Sequence, residues 1–134
     1  MDTRPEAAVP DDAWAAVAPL VSRAAGEPGT AGRPRLPDRA ALGGILHVLR
    51  YDLSWMALPP ALGCGAGVTC WRRLCEWQRA GAWEGIAREL RRRLPWAGEV
   101  DWDRAWAEGV GTQHQGTGTV GRRRRAGRRL GAQA

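Results

Sequence analysis

The sequence predicts a mainly α-helical protein, in which one small helical domain containing a helix-turn-helix is followed by a disordered basic tail. Three observations support this fold class. Apolar residues recur at helical spacing between residues 11 and 94, Gly- and Pro-rich stretches separate these segments, and large apolar residues become rare from residue 109 onward. With 134 residues, the chain has room for one compact domain with loose ends.

The first predicted helix spans residues 11–21 and follows a disordered N-terminus, 1–10. Its two opening aspartates suit the positive end of a helix dipole. Residues at helical spacing form its apolar face: Trp14, Val17, Ala18 and Val21. Pro19 is expected to make the end of this helix irregular. The Gly- and Pro-rich residues 22–37 then form a linker that contains a short basic arm at 32–35.

The second predicted helix spans residues 39–50 and is expected to be capped by Asp38. Its core-facing stripe follows the spacing i, i+3, i+4, i+7: Leu42, Ile45, Leu46 and Leu49. His47 lies off this stripe. Because no partner motif accompanies it, His47 is interpreted as a surface or boundary residue.

A helix-turn-helix is predicted next. Ser54 is expected to cap a short helix that begins at Trp55 and is ended by Pro59 and Pro60. Three alternating glycines form the turn: Gly63, Gly65 and Gly67. A longer helix over 68–80 follows, with an inner face made of Cys70, Trp71, Leu74, Cys75 and Trp77. Its predicted outward residues are Arg72, Arg73, Glu76 and Arg79. This layout is typical of a DNA-binding motif.

Gly81 is well placed to stop the longer helix. A last helix is predicted over 82–94 and buries one apolar face: Trp83, Ile86, Ala87, Leu90 and Leu94. Residues 99–103 alternate like the start of a strand. From 109 to 134 the chain is rich in Gly and Arg, which predicts a disordered tail.

The charge distribution points to a polyanionic partner. Residues 54–98 carry seven Arg against three acids, and residues 122–134 carry six Arg and no acid. Localised positive charge of this kind is what nucleic acid requires. The chain has no stretch of eighteen apolar residues and no apolar run behind a basic start, so we expect a cytoplasmic protein without membrane contact.

Three cysteines, Cys64, Cys70 and Cys75, have the spacing C-x5-C-x4-C with no nearby pair of histidines. This spacing fits no common zinc pattern. We therefore expect buried free thiols in a reducing compartment, with no metal and no cofactor.

Six short motifs occur in order along residues 11–94: D-x-x-W at 11–14, GRP at 32–34, LR at 49–50, W-x-x-LP at 55–59, TCWRRL at 69–74 and WQ-x-AG-x-WE at 77–84. Together they resemble the N-terminal helix-turn-helix domain of bacterial insertion-sequence transposases of the DDE type. One departure is Asp52, which stands where these proteins usually have Gly. Aspartate tolerates a left-handed backbone better than most residues, so the turn should survive.

The resemblance implies a DNA-binding domain over 11–97 that recognises the end DNA of an insertion element. It also implies that residues 98–108 are the first strand of a ribonuclease-H-like core, with Glu108 where the first catalytic aspartate would lie. Two-metal chemistry needs several carboxylates of defined reach. The other two acids of the family would lie beyond Ala134, so we expect a truncated protein without catalytic or metal-binding residues.

The expected DNA contacts are Thr69, Arg72, Arg73, Arg79, Arg33 and Arg35. The expected partner is double-stranded DNA, with a full-length transposase or a second copy of the chain as further partners. Two alternatives stay open: a regulatory DNA-binding inhibitor of an intact transposase, and a non-functional remnant of a frameshift. The tail is either frameshifted sequence or a basic arm that binds phosphates without sequence preference.

Overall fold

A computed structural model describes residues 9–25 and 35–109. Its α-helices are α1 (Asp11–Ala25), α2 (Asp38–Tyr51), α3 (Gly67–Arg79), α4 (Trp83–Arg93) and α5 (Trp102–Glu108). Three short 3₁₀ turns lie between them, at Trp55–Ala57, Pro60–Leu62 and Ala97–Glu99. No strand occurs within the described ranges, and the mainly α fold class is confirmed. None of these helices combines the length and apolar character needed to span a bilayer.

The helices pack in two main pairs, α1 against α4 and α2 against α3, and one core lies between them. The predicted apolar stripes of α2 and α4 are buried as expected. The largest fully buried side chains are Trp77, Trp83, Leu42, Ile45, Leu46, Leu49, Leu74, Ile86 and Leu90. Since burying one such aliphatic side chain is worth about 1.5–3 kcal/mol, this core supplies most of the driving force for folding.

Helix α1 continues past Pro19 to Ala25, so its predicted end at residue 21 is wrong. Pro19 is exposed, whereas Val17 and Val21 on either side of it are buried against the core. Tertiary packing therefore outweighs the one backbone hydrogen bond that proline removes. Of the predicted linker, residues 26–34 lie outside the described part of the chain.

The N-terminal cap of α2 differs from the prediction, whereas the turn at its C-terminal end agrees with it. Asp38 is the first residue of the helix and makes no side-chain capping bond, while Pro37 occupies the cap position. At the other end, Asp52 adopts a left-handed conformation with φ of 61° and ψ of 44°, and its N–H donates to the carbonyl of Val48. The expectation that aspartate would preserve this turn is confirmed.

The link between α2 and α3 contains two 3₁₀ turns in place of the predicted short helix, and Ser54 makes no side-chain capping bond. Gly63 and Gly65 have φ of 75°, as the predicted turn requires. Gly67 instead begins α3, and a Cβ at this position would overlap the carbonyl oxygen of Trp55. Gly67 therefore allows the backbone of α3 to approach the backbone of the turn at Trp55 closely.

Gly81 ends α3 as predicted. Its φ is 77°, its N–H donates to the carbonyl of Gln78, and the N–H of Ala82 donates to that of Trp77. These two bonds form a Schellman motif, which satisfies carbonyls that the helix end would leave unpaired.

The predicted strand at residues 98–108 is wrong, because a 3₁₀ turn and helix α5 occupy this segment. Asp101 caps α5 by accepting a hydrogen bond from the N–H of Arg104. The helix packs against α2, and Gln78 of α3 donates to the carbonyl of Ala105 at 2.9 Å. Residues 98–109 are thus part of the helical body.

At the N-terminus, Val9 is buried in the core, which contradicts disorder at that position. Residues 1–8 and the predicted disordered tail at 110–134 lie outside the described part of the chain.

Candidate nucleic-acid interface

Helix α3 presents one exposed stripe, called here the α3 outer face: Val68, Arg72, Glu76 and Arg79. These residues follow helical spacing along α3, a helix of 13 residues. On the opposite side, Leu74 is 0% and Trp77 is 1% exposed. The helix is therefore anchored in the core while its other side is open to a partner.

Arg73 is not part of this face. Although it was predicted to point outward, it is only 3% exposed. It lies three residues after Cys70 and four before Trp77, so the helical period turns it toward the interior. Its Nη1 donates to Oδ1 of Asp38 at 2.7 Å. The expectation that Arg73 lies on the outside is wrong, because a carboxylate on α2 draws it inward.

Two arginines and two acids join α3 to the start of α2: Arg35, Asp38, Arg73 and Glu76. Arg35 Nη2 lies 3.2 Å from Oε1 of Glu76 and 3.8 Å from Oδ1 of Asp38. Arg73 Nε lies 3.9 Å from the same Glu76 oxygen. This network holds Arg35 beside the α3 outer face, across 41 positions of sequence.

Arg72 and Arg79 are exposed, and neither forms an ion pair with a carboxylate among residues 9–25 and 35–109. Thr69 is half-buried in the first turn of α3, and Ala66 occupies the cap position of this helix. Arg33 lies outside the described residues. The structure thus brings Thr69, Arg72, Arg79 and Arg35 to one side of α3.

The arginines of α4 are arranged differently. Arg88 lies 3.8 Å from Glu84, while Arg92 and Arg93 lie 3.7 Å and 3.2 Å from Glu89. Such surface pairs are weak, but they reduce the net positive charge of this helix. The guanidinium of Arg91, also on α4, lies over the ring of Trp102 at 5.3 Å from the centroid. Arg72 and Arg79, which have no ion pair within the described residues, are therefore the stronger candidates for contact with a polyanion.

Glu108 is a structural residue. Its Oε1 accepts hydrogen bonds from Nε of Arg104 at 2.8 Å and from Nε1 of Trp55 at 3.0 Å. Its backbone oxygen accepts a bond from Nε1 of Trp71. The side chains of Arg104 and Glu108 are 3% and 9% exposed. The carboxylate where a catalytic aspartate was expected therefore fastens α5 to the turn at Trp55, while the backbone oxygen of the same residue fastens α5 to α3.

The three cysteines are free and buried, as predicted. The pKa of Cys70 is raised to about 11, mainly by burial and also by the neighbouring Cys64, while the positive charge of Arg73 opposes both effects. Burial also raises the pKa of Cys64 and of Cys75. Their thiols are therefore protonated at neutral pH. Among the described residues, no group of three His, Cys, Asp or Glu side chains is placed to hold a metal ion.

Two features of the interface were not predicted from sequence. Val68 is 40% exposed, and its position off the apolar stripe of α3 is the sequence feature that could have predicted this exposure. The contact between Arg35 and Glu76 had no signal in the sequence, because it depends on how the segment before α2 crosses α3.

Comparison with known proteins gives two matches. Residues 9–87 match the model of the family described as "Putative transposase of IS4/5 family". The "Insertion element IS402 uncharacterized 16.2 kDa protein" of Burkholderia cepacia is 40% identical over 116 residues, which cover 82% of this chain and 76% of that protein. No solved structure matches. The family match spans α1 to the first half of α4 and includes the whole α3 outer face.

Proposed function

The chain belongs to the IS4/5 family of transposases, and we propose that its helical domain binds double-stranded DNA through the α3 outer face. The observation that carries this proposal is the exposure of Arg72 and Arg79 on a helix whose other side is fixed in the core. The proposed target is the end DNA of the insertion element that encodes the chain. The kinship with an insertion-element protein supports this choice.

The geometry of α3 suits the major groove, which is wide enough to admit one α-helix. Its 13 residues give a length of about 20 Å at 1.5 Å per residue. Arg72 lies near the middle of the face, where its planar guanidinium can donate two hydrogen bonds to one guanine or to a phosphate. Arg35 and Arg79 lie to the side and toward the end, where phosphate contacts are expected.

Replacing Arg72 and Arg79 together with alanine should weaken binding of the full chain to end DNA by roughly 2–4 kcal/mol, about 30- to 1000-fold. Each arginine contributes a charge-assisted contact that alanine cannot replace. Fluorescence anisotropy with labelled duplex, at one fixed salt concentration, measures the change, since the arginines outside the described residues add salt-sensitive affinity.

The matched control replaces Arg88 and Arg92 with alanine. It removes the same charge from α4, where both arginines lie near acids. This variant should lose less than about 1 kcal/mol of affinity. Equal losses in the two double variants would show that net charge, and not the α3 outer face, accounts for binding.

We further propose that this domain binds DNA without cutting it. The support is the structural use of Glu108, whose carboxylate is enclosed by Arg104 and Trp55. Within the part of the chain that the structure describes, no group of three His, Cys, Asp or Glu side chains could hold a metal ion, whereas the metal pair of DDE-type chemistry needs several open carboxylates. The full chain with Mg²⁺ or Mn²⁺ and end DNA should give no cleavage or strand-transfer product on a sequencing gel. Products that disappear in Glu108→Gln would contradict this expectation.

A further inference from the structure

We infer that the α3 outer face distinguishes base sequence, with Val68 contacting the methyl group of a thymine and Arg72 contacting a guanine about two base pairs away. This inference rests on the proposed function and names the DNA feature that the same site selects. It is carried by the order of side-chain chemistry along α3, which runs apolar, basic, acidic, basic.

The acid in this order argues against a face that serves phosphates alone. Glu76 is 48% exposed, lies between Arg72 and Arg79 on the same stripe, and accepts a hydrogen bond from Arg35 at its Oε1. A phosphate placed against this carboxylate would be repelled. Facing the bases, the second carboxylate oxygen can accept a hydrogen bond from the amino group of cytosine. The middle of α3 therefore suits base edges better than the DNA backbone.

The apolar end of the stripe points to thymine. Val68 lies in the first turn of α3 and is 40% exposed. Met56 is 88% exposed. It directly follows Trp55, whose carbonyl oxygen lies against Gly67, the residue before Val68. The N-terminal residues of a helix in the major groove are those that reach base edges. The thymine methyl is the apolar group that the base pairs present there, so it is the matching partner for Val68.

The spacing of the two side chains sets the distance between the two bases. Val68 and Arg72 are four residues apart, which is about 6 Å along the helix axis. Successive base pairs are about 3.4 Å apart. A helix aligned along the groove would therefore place a thymine contact and a guanine contact about two base pairs from each other.

The test starts from sequences that the full-length chain selects out of a randomised duplex pool. In the selected duplex, each thymine is replaced in turn by uracil, which removes only the methyl group. We expect one replacement to weaken wild-type binding about fourfold, the value of one buried methyl group. The variant Val68→Ala should bind the thymine and uracil duplexes equally, while Arg88→Ala should keep the fourfold difference.

The guanine contact is tested in the same duplex with 7-deazaguanine, which lacks the N7 acceptor. Replacement about two base pairs from the sensitive thymine should weaken wild-type binding at least about fivefold and should leave Arg72→Ala unaffected. Circular dichroism melting of each variant confirms that it folds. If the chain binds duplex but no uracil substitution matters, or if Val68→Ala keeps the difference, the inference is wrong and the proposed function stands. If the chain binds no duplex, both are wrong.

Discussion

Replacing Gly67 with alanine is expected to lower the free energy of unfolding by more than about 3 kcal/mol. The added Cβ would occupy the position of the Trp55 carbonyl oxygen. Both atoms belong to backbone, so no rotation of a side chain can relieve the overlap. The start of α3 would have to move away from the turn at Trp55–Ala57, and the buried side chains of α3 would lose their fit with α2.

Gly98→Ala is the matched control, because a Cβ at Gly98 would have no atom within 4 Å. This variant should change stability by less than about 1 kcal/mol. Urea unfolding followed by tryptophan fluorescence measures both variants. A Gly67→Ala protein as stable as Gly98→Ala would show that the two backbones are not in close contact.

Replacing Arg73 with alanine is expected to cost about 2–4 kcal/mol of stability. The substitution removes the guanidinium that lies 2.7 Å from Asp38 and leaves that half-buried carboxylate with Arg35 at 3.8 Å. It also leaves a cavity, since the side chain of Arg73 is only 4% exposed. The loss therefore combines a weaker ion pair for Asp38 with lost packing.

The neighbouring Arg72 provides the control for this prediction. It is the same residue type, one position earlier on the same helix, and exposed. Arg72→Ala should change the free energy of unfolding by less than about 0.5 kcal/mol while it weakens DNA binding. Comparable stability losses for Arg72→Ala and Arg73→Ala would mean that the ion pair with Asp38 contributes little. The two adjacent arginines thus separate stability from recognition.

Most of the fold could be predicted from the sequence because the buried residues of a helix recur at a regular spacing along the chain. The stripe at residues 42, 45, 46 and 49 and the buried face of α4 follow the 3.6-residue period, and both lie in the core. Gly81 likewise marked the end of α3, since few other residues adopt a positive φ there without strain. These features depend on neighbours within a few residues.

The segment at 98–108 shows where local pattern is too short to decide. Five alternating residues suggested a strand, but a strand needs a partner, and none exists within the described residues. A helix capped by Asp101 satisfies its own backbone, and hydrogen bonds from Trp55, Trp71 and Gln78 fasten it to the turn at Trp55 and to α3. Long-range contacts therefore decided the structure of this segment.

By itself, the sequence determined the mainly α fold, the buried stripes and the basic character of α3, because each follows from helical period and residue chemistry. Only the tertiary structure decided which charges these arginines meet. The helical period already places Arg73 on the inner side of α3, but its ion pair with Asp38, 35 positions away, depends on the fold, and Arg35 reaches α3 because Glu76 accepts its hydrogen bond. The physical reason is that an ion pair depends on the charges that folding places next to a residue, and these charges come from distant parts of the chain.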